Sequence, residues 1–178
     1  MKTILAIPGS TRSHSTNHGL IRAIASLMSD RLTIDTYDGI GRLPHFDPGL
    51  TDAGTPPEVL AFRGMLSAAD GVLICTPEYA HGVPGSLKNA IDWTVGSGEF
   101  SQKPTVLITA STEGRFGHAA LLETLRVIEA RNIGQLNLLI PFVRTKVSGD
   151  GKITDPGTLE AVKTVMNLMI QTINDAAK

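Results

Sequence analysis

The chain is predicted to fold as an open α/β sandwich whose centre is a five-stranded parallel sheet. Three observations predict it. Five short apolar runs recur along the 178 residues, segments of helical period lie between them, and an apolar content of 42 % includes only 4 % aromatics. Short continuous apolar runs suit strands buried on both faces, and Leu, Ile, Val and Ala are the usual filling where helices cover both sides of a parallel sheet. The length suits one domain over 1–178 and is short for two.

The apolar runs fall at 3–7, 32–37, 71–75, 105–109 and 136–140. After the first, Leu20, Ile24 and Leu27 with Ile21, Ala25 and Met28 repeat at three and four residues, which gives one apolar helical face. Thr55-Pro56-Pro57-Glu58 is read as a capping box with proline in the first turn, opening a helix that buries Val59, Phe62, Leu66 and Ala69. A helical pattern follows Pro84, and Leu121, Leu125 and Ile128 mark a fourth helix. The last starts at an Asp155 cap and Pro156 and buries Leu159, Val162, Met166, Met169 and Ile173. Right-handed crossovers leave few ways to wind such a three-layer sandwich, and the flavodoxin-like order 2-1-3-4-5 is expected. One long irregular segment, 38–54, interrupts the alternation, and loops of that length are usually functional or mobile.

Charge and cysteine usage narrow the function classes. The formal net charge is -1, with both signs spread along the chain and no basic run of the kind that tracks a phosphate backbone, so nucleic acid is not an expected partner. Cys75 is the single cysteine and cannot form an internal disulfide, and the apolar segment at 4–7 is too short for a signal-peptide core or a membrane span. A cytoplasmic setting without a membrane partner is expected.

Two stretches fall on loops at the carboxyl ends of predicted strands, where open α/β sheets bind ligands. The first runs from Gly9 and supplies hydroxyls, an amide and a guanidinium from Ser10, Thr11, Arg12, Ser13, Ser15, Thr16 and Asn17. Ahead of a helix N-terminus this set suits a terminal phosphate. The same residues would also serve as helix caps alone, but a cap has no need of the charged fork of Arg12. A P-loop lysine and the partner glycines of a dinucleotide fingerprint are missing, which disfavours those two nucleotide sites.

Gly9-Ser10-x-Arg12-x-x-Ser15-x-Asn17, with Pro77-Glu78-Tyr79 and Pro84-Gly85-x-Leu87-Lys88-Asn89-Ala90-Ile91-Asp92-Trp93, resembles the NADPH-dependent FMN reductase family of flavodoxin-like oxidoreductases. The similarity extends to Asp38-Gly39, Leu43-Pro44 and the approach to the last helix from Gly149-Asp150-Gly151 to Asp155. The resemblance implies that Ser10, Arg12, Ser15 and Asn17 hold the FMN phosphate and that Pro77, Glu78 and Tyr79 pack beside the ring. Ala80 stands where the family commonly has asparagine, which leaves only backbone contacts from that position. A third loop, Ser111-Thr112-Glu113-Gly114-Arg115-Phe116-Gly117, lies where the family places a glycine-bearing loop near the pyrimidine end, so Ser111 and Gly114 join the candidates.

The other polar residues have blander readings. His14 and His18 lie four apart, but no cysteine or acidic residue lies beside them, so they are read as a solvated face or the rim of the phosphate site and not as metal ligands. His45, His81 and His118 are placed on loops facing the cleft. Cys75 is read as a small hydrophobe ending a strand, and the residue six beyond it is His81, not the arginine of a low-molecular-weight phosphatase. Lys88 and Asp92 make a helical ion pair, and Trp93 is core or a subunit contact. Flavin chemistry needs no catalytic dyad from the protein, so none is assigned.

The expected function is thus an FMN-dependent oxidoreductase that takes hydride from NADPH or NADH and reduces quinones, azo compounds, flavins or metal oxyanions in ping-pong fashion. The rival readings are a flavodoxin-type electron carrier without its own NAD(P)H activity, which the near-neutral charge and Arg12 disfavour, and a flavin-free interaction protein on the same fold. A homodimer or homotetramer is expected from the resemblance, and from the segment 38–54, which needs something to order it.

Overall fold

The computed structural model describes residues 1–12, 14–50, 54–148 and 150–176. Ser13 and Gly149, both named above, lie outside the described residues, as does part of the segment 38–54. Five strands, β1 (Lys2–Pro8), β2 (Leu32–Thr36), β3 (Gly71–Thr76), β4 (Thr105–Ala110) and β5 (Asn137–Ile140), alternate with five helices. These are α1 (Thr16–Leu27), α2 (Pro57–Ala68), α3 (Gly85–Val95), α4 (Arg115–Val127) and α5 (Pro156–Ala176). All pairings are parallel and the order is β2-β1-β3-β4-β5, as expected.

Period-two alternation divides the core between the two faces of the sheet. Ile4 and Ala6 of β1 pack with Leu20, Ile21 and Ile24 of α1 and with Val162, Met166 and Met169 of α5. Leu5 and Ile7 point the other way, to Val59, Phe62 and Leu66 of α2, Leu87 and Ile91 of α3, and Leu121 and Leu125 of α4. Each such side chain contributes roughly 1.5–3 kcal/mol by burial, so both helix layers are held firmly to the sheet that carries the loops.

The helix ends are satisfied partly as expected. Asp155 Oδ2 accepts from the N–H and the hydroxyl of Thr158, both at 2.7 Å, which caps α5 and holds the Asp155 carboxyl below its usual range. The capping box at Thr55 does not form. Pro56 occupies the cap position and Pro57 opens α2 with no side-chain cap bond, because two consecutive prolines leave fewer N–H groups to satisfy. At the other end of α2 the Lys103 ammonium donates to the carbonyls of Leu66, Ser67 and Ala69 at 2.8, 3.2 and 2.7 Å, filling the role of a C-terminal cap from a distant segment. Its burial lowers the Lys103 pKa.

Residues 44–46 of the segment after β2 are held by their own chain. The Pro44 carbonyl accepts from Trp93 Nε1 at 2.8 Å and Asn89 Nδ2 at 2.9 Å, while Asn89 Oδ1 accepts from the Phe46 N–H at 2.7 Å. Phe46 meets the Trp93 ring edge-on at 5.2 Å. Trp93 is therefore an internal contact.

Candidate functional site

The sheet order reverses between β1 and β3, so the loops leaving these strands diverge and open a crevice at their carboxyl ends. The crevice is tight at its base. Gly9 donates its N–H to the Cys75 carbonyl at 2.8 Å, and a Cβ on Gly9 would lie 2.1 Å from Thr76 Oγ1, so no larger residue fits.

A cavity of about 550 Å³ occupies this position, a volume in the range of small-molecule sites. Of the residues selected from sequence, Ser10, Arg12, Ser15, Thr16, Asn17, Pro77, Glu78, Tyr79 and Ser111 line it, whereas Ala80 and Gly114 do not. Sequence reading placed Thr112 in the third loop without singling it out, and missed Ala110, Phe142 and the 3-10 turn Val143–Thr145. A signal existed for the last group. It follows β5, and every strand's carboxyl end in such a sheet is a candidate lining segment.

One end of the cavity is the start of α1. Ser15 is the cap residue, and its Oγ accepts from the His18 N–H at 3.2 Å, while Ser10 Oγ accepts from the Arg12 N–H at 3.3 Å. Thr16 and Asn17, as the first helical residues, have no intrahelical carbonyl to donate to, so their N–H groups and the helix dipole favour an anion. Asn17 is 3 % exposed and donates Nδ2–H to the Ala110 carbonyl at 3.2 Å. Its Oδ1 is a buried side-chain oxygen with no hydrogen-bond partner among the described residues. An orphaned buried acceptor is costly, and one that belongs to a cavity residue calls for a donor on a ligand.

The opposite end is assembled from three loops. The Glu78 N–H donates to Ser111 Oγ at 3.2 Å, and the Glu78 carboxylate accepts from the N–H groups of Gly114 at 3.3 Å and Gly117 at 2.6 Å. Glu78 thus caps α4 across the cleft, and its charge suits the positive end of that helix. Gly114 itself has φ of +92°, and a Cβ there would meet Leu139 Cδ1 at 2.9 Å, so it serves the turn and not the cavity surface. The loop after β5 is clipped to the loop after β4, with Phe142 N–H donating to the Thr112 carbonyl at 2.9 Å and Val143 N–H to the Ser111 carbonyl at 3.1 Å.

The turn beyond Tyr79 accounts for Ala80. Tyr79 and Gly82 exchange backbone hydrogen bonds of 3.1 and 2.8 Å around Ala80 and His81, which have φ of +48° and +58°. This two-residue turn needs positive φ at both positions, which asparagine tolerates better than alanine. The family's asparagine therefore matches a backbone requirement here, in place of the polar contact expected. His81 stacks on Phe116 at 4.4 Å, and the Arg115 guanidinium lies 4.6 Å from the Phe116 ring.

Two histidines sit elsewhere than expected. His118 lies inside α4, buried, with Nδ1 2.9 Å from Thr109 Oγ1 and Nε2 3.2 Å from Asn137 Oδ1, because the helix begins three residues before it. Burial lowers its pKa. His18 is also buried, which rules out the solvated face but keeps it beside the cavity through its bond to Ser15, and Asp38, twenty residues away, supplies the acidic partner that the sequence did not place beside it. Cys75 is fully buried and burial pushes its thiol up, which removes it as a nucleophile. Lys88 and Asp92 pair at 2.6 Å as expected. Among the described residues no three His, Cys, Asp or Glu side chains gather as metal ligands, and no helix is long and apolar enough to cross a membrane.

The sequence profile described as NADPH-dependent FMN reductase matches residues 2–142. An NAD(P)H-dependent FMN reductase of Pseudomonas aeruginosa is 32 % identical over 166 residues, covering 90 % of this chain and 89 % of its own. A 2-hydroxy-1,4-benzoquinone reductase of a Burkholderia species is 31 % identical over 179 residues, covering 97 % and 96 %. Among solved structures, FerB of Paracoccus denitrificans, a flavoenzyme NAD(P)H:(acceptor) oxidoreductase, is similar with a TM-score of 0.78 and 26 % identity over 98 % of both chains. With its flavodoxin-like sheet, the profile match along most of its length and relatives above 30 % identity, the chain belongs to the NADPH-dependent FMN reductase family of oxidoreductases, which work with FMN and NAD(P)H.

Proposed function

We propose that the 550 Å³ cavity holds FMN, with the phosphate at Ser10, Arg12, Ser15, Thr16 and Asn17 and the ring between the segments at 77–79, 110–112 and 142–145. The donor set suits the cofactor. Hydroxyls, a guanidinium and the start of α1 complement a phosphate, and the orphaned Asn17 Oδ1 can accept from a ribityl hydroxyl. Pro77, Tyr79, Ala110, Phe142 and Val143 offer flat or apolar surface to a planar ring. That convergence of a charged end and an apolar end in one cavity is the observation that carries the reading.

A flavin bound there would supply the redox chemistry, hydride uptake from NADPH or NADH and electron delivery to an acceptor of the quinone class. The protein's part is to hold and orient. Glu78 fixes the second loop on α4, and the turn at 79–82 leaves Tyr79 53 % exposed at the rim. If nicotinamide and acceptor use this one open side, they alternate, and the kinetics are ping-pong. Parallel double-reciprocal plots with NADPH and a benzoquinone are the expected result, and intersecting lines would reject a shared side. Stopped-flow comparison of NADPH with NADH, followed by quinones, azo dyes, free flavins and chromate as acceptors, measures the donor and acceptor ranges.

The assembly belongs to the same reading. Tyr79, Phe116 and Phe142 expose 53 %, 43 % and 60 % of their surface, and Tyr79 and Phe142 also line the cavity. A second copy covering such a face would give a homodimer, or a tetramer built from two. Light scattering of the FMN-bound protein at micromolar concentration distinguishes these from an 18.9 kDa monomer. A single-domain, cytoplasmic enzyme completes the reading, in keeping with the lone buried thiol.

A further inference from the structure

We propose that His18 is a positioning residue that couples phosphate binding at the α1 end of the cavity to the uptake of one proton. The inference rests on the phosphate assignment above. His18 sits in the first turn of α1 and is 8 % exposed. Its Nδ1 lies 2.7 Å from Ser15 Oγ, its Nε2 lies 3.0 Å from Asp38 Oδ1, and its backbone N–H donates to the same Ser15 Oγ at 3.2 Å. Ser15 lines the main cavity, so the imidazole touches the phosphate site only through that hydroxyl.

The hydrogen-bond inventory fixes what each protonation state does. The Asp38 carboxylate accepts and cannot donate, so Nε2 carries a proton in both states. In the neutral imidazole Nδ1 is then an acceptor. Ser15 must give it the hydroxyl proton, and with one lone pair already taken by the His18 N–H, only a lone pair remains to face the cavity. A phosphate oxygen meets repulsion there. In the imidazolium, Nδ1–H donates to Ser15 Oγ, whose two lone pairs are both satisfied, and the Ser15 O–H turns into the cavity as a donor. An anion gains a hydrogen bond only in the second state, so binding it draws a proton from solvent onto Nδ1.

The surroundings allow such a step. Asp38 reaches His18 from the segment after β2, and its side chain is 65 % exposed, which connects the pair to solvent. With His18, Asp38 lines a separate cavity of about 490 Å³ whose other charged side chains, among the described residues, are Arg22, one turn along α1, and Arg42, from the turn after β2. On the far side of Ser15, Arg12 and Arg144 line the main cavity, and His14 and Arg22 the recess beside it. A bound phosphate dianion offsets these cations and favours a positive charge at His18.

The test uses FMN and riboflavin with the intact protein. Titration calorimetry at about pH 8, where the FMN phosphate is already a dianion, in two buffers of different ionisation enthalpy, counts the protons taken up. About one proton per FMN is expected, with none for riboflavin. FMN affinity should fall by up to about tenfold per pH unit as the pH rises over the range in which uptake is seen, with riboflavin flat. His18→Gln should lose both the uptake and the slope and still prefer FMN over riboflavin through Arg12. Nitrogen NMR of labelled histidine in the unaltered protein gives an independent reading, with His18 passing from the Nε2–H tautomer to the doubly protonated ring as inorganic phosphate saturates the site. This measurement also decides the matter should His18→Gln fail to fold. Uptake near zero, an equal uptake in His18→Gln, or an unchanged His18 ring with phosphate bound would each overturn the coupling. Equal affinity for FMN and riboflavin would instead overturn the phosphate assignment itself.

Discussion

At the α1 end of the cavity the contacts come mainly from one stretch, 10–17, joined by Arg144, and Ser10, Ser15 and Asn17 are 3 %, 4 % and 3 % exposed. At the other end they come from loops after β3, β4 and β5, and Tyr79 and Phe142 are more than half exposed. The first end is a local device, a helix start with hydroxyls and a guanidinium that any anion of the right size would satisfy. The second exists only because the sheet order sets three distant loops side by side. Affinity for charge can therefore be altered at one residue, whereas the surface offered to the ring changes only when the loops move together.

Four substitutions would break or sharpen that contrast. Arg12→Ala carries the largest expected effect. A charge-assisted bond to a buried anion is typically worth about 1.5–3 kcal/mol, so FMN affinity should drop about ten- to a hundredfold while riboflavin affinity stays nearly constant. Equal losses measured by fluorescence titration would mean that the two ends are not separable. Glu78→Ala comes next. It removes the acceptor for the Gly114 and Gly117 N–H groups and should cost about 1–2 kcal/mol in urea unfolding. Because it loosens a loop shared by both ligands, FMN and riboflavin should weaken in parallel, and a loss confined to FMN would contradict the division.

A smaller effect of opposite sign is expected at the turn. Ala80→Gly relieves a positive φ at an exposed position outside the cavity and should stabilise by about 0.5–1 kcal/mol, with flavin affinity unchanged. No change in the unfolding midpoint would show that the turn carries no strain.

The smallest concerns His118, behind the three-loop end. Burial holds its folded pKa below the ordinary value of about 6.5, so the unfolded chain protonates first as the pH falls. Its contribution is complete above about pH 6.5, declines as the pH drops from there through the folded value, and levels off below it. His118→Gln should flatten that part of the stability profile and, since His118 does not line the cavity, leave flavin reduction within about tenfold. An unchanged slope, or a loss of several orders of magnitude in reduction with FMN bound, would overturn this placement.

The same contrast explains how much could be read from sequence. The strands were legible because buried parallel strands are continuous apolar runs, and the α1 end because Ser10, Arg12, Ser15, Thr16 and Asn17 lie within one loop and the start of its helix. Phe142 and Val143–Thr145 gave no local signal, since what brings them to Ser111 is the β4–β5 pairing and two backbone bonds between loops. Glu78 was found as a site residue, but its carboxylate goes to α4, a partner more than thirty residues away that spacing does not reveal. His118 was misplaced because Gly114 looked like the middle of a loop, whereas it is the cap residue of the helix. Thr55 was misread because a cap motif says nothing of which following residues lack an N–H.

The two bonds that clip the loop after β4 to the loop after β5 also bear on how this scaffold can diversify. Neither loop can gain or lose a residue without shifting the Phe142–Thr112 and Val143–Ser111 pairs out of register, so their lengths are mutually constrained. The turn at 79–82 makes its backbone hydrogen bonds within itself, through Tyr79 and Gly82, touches α4 through the His81–Phe116 stack, and keeps Ala80 and His81 out of the cavity lining. Insertions that extend the rim toward bulkier acceptors are accommodated there, and a library that varies length at Ala80 and His81 has a far better prospect of folded members than one that varies 111–114 or 141–145.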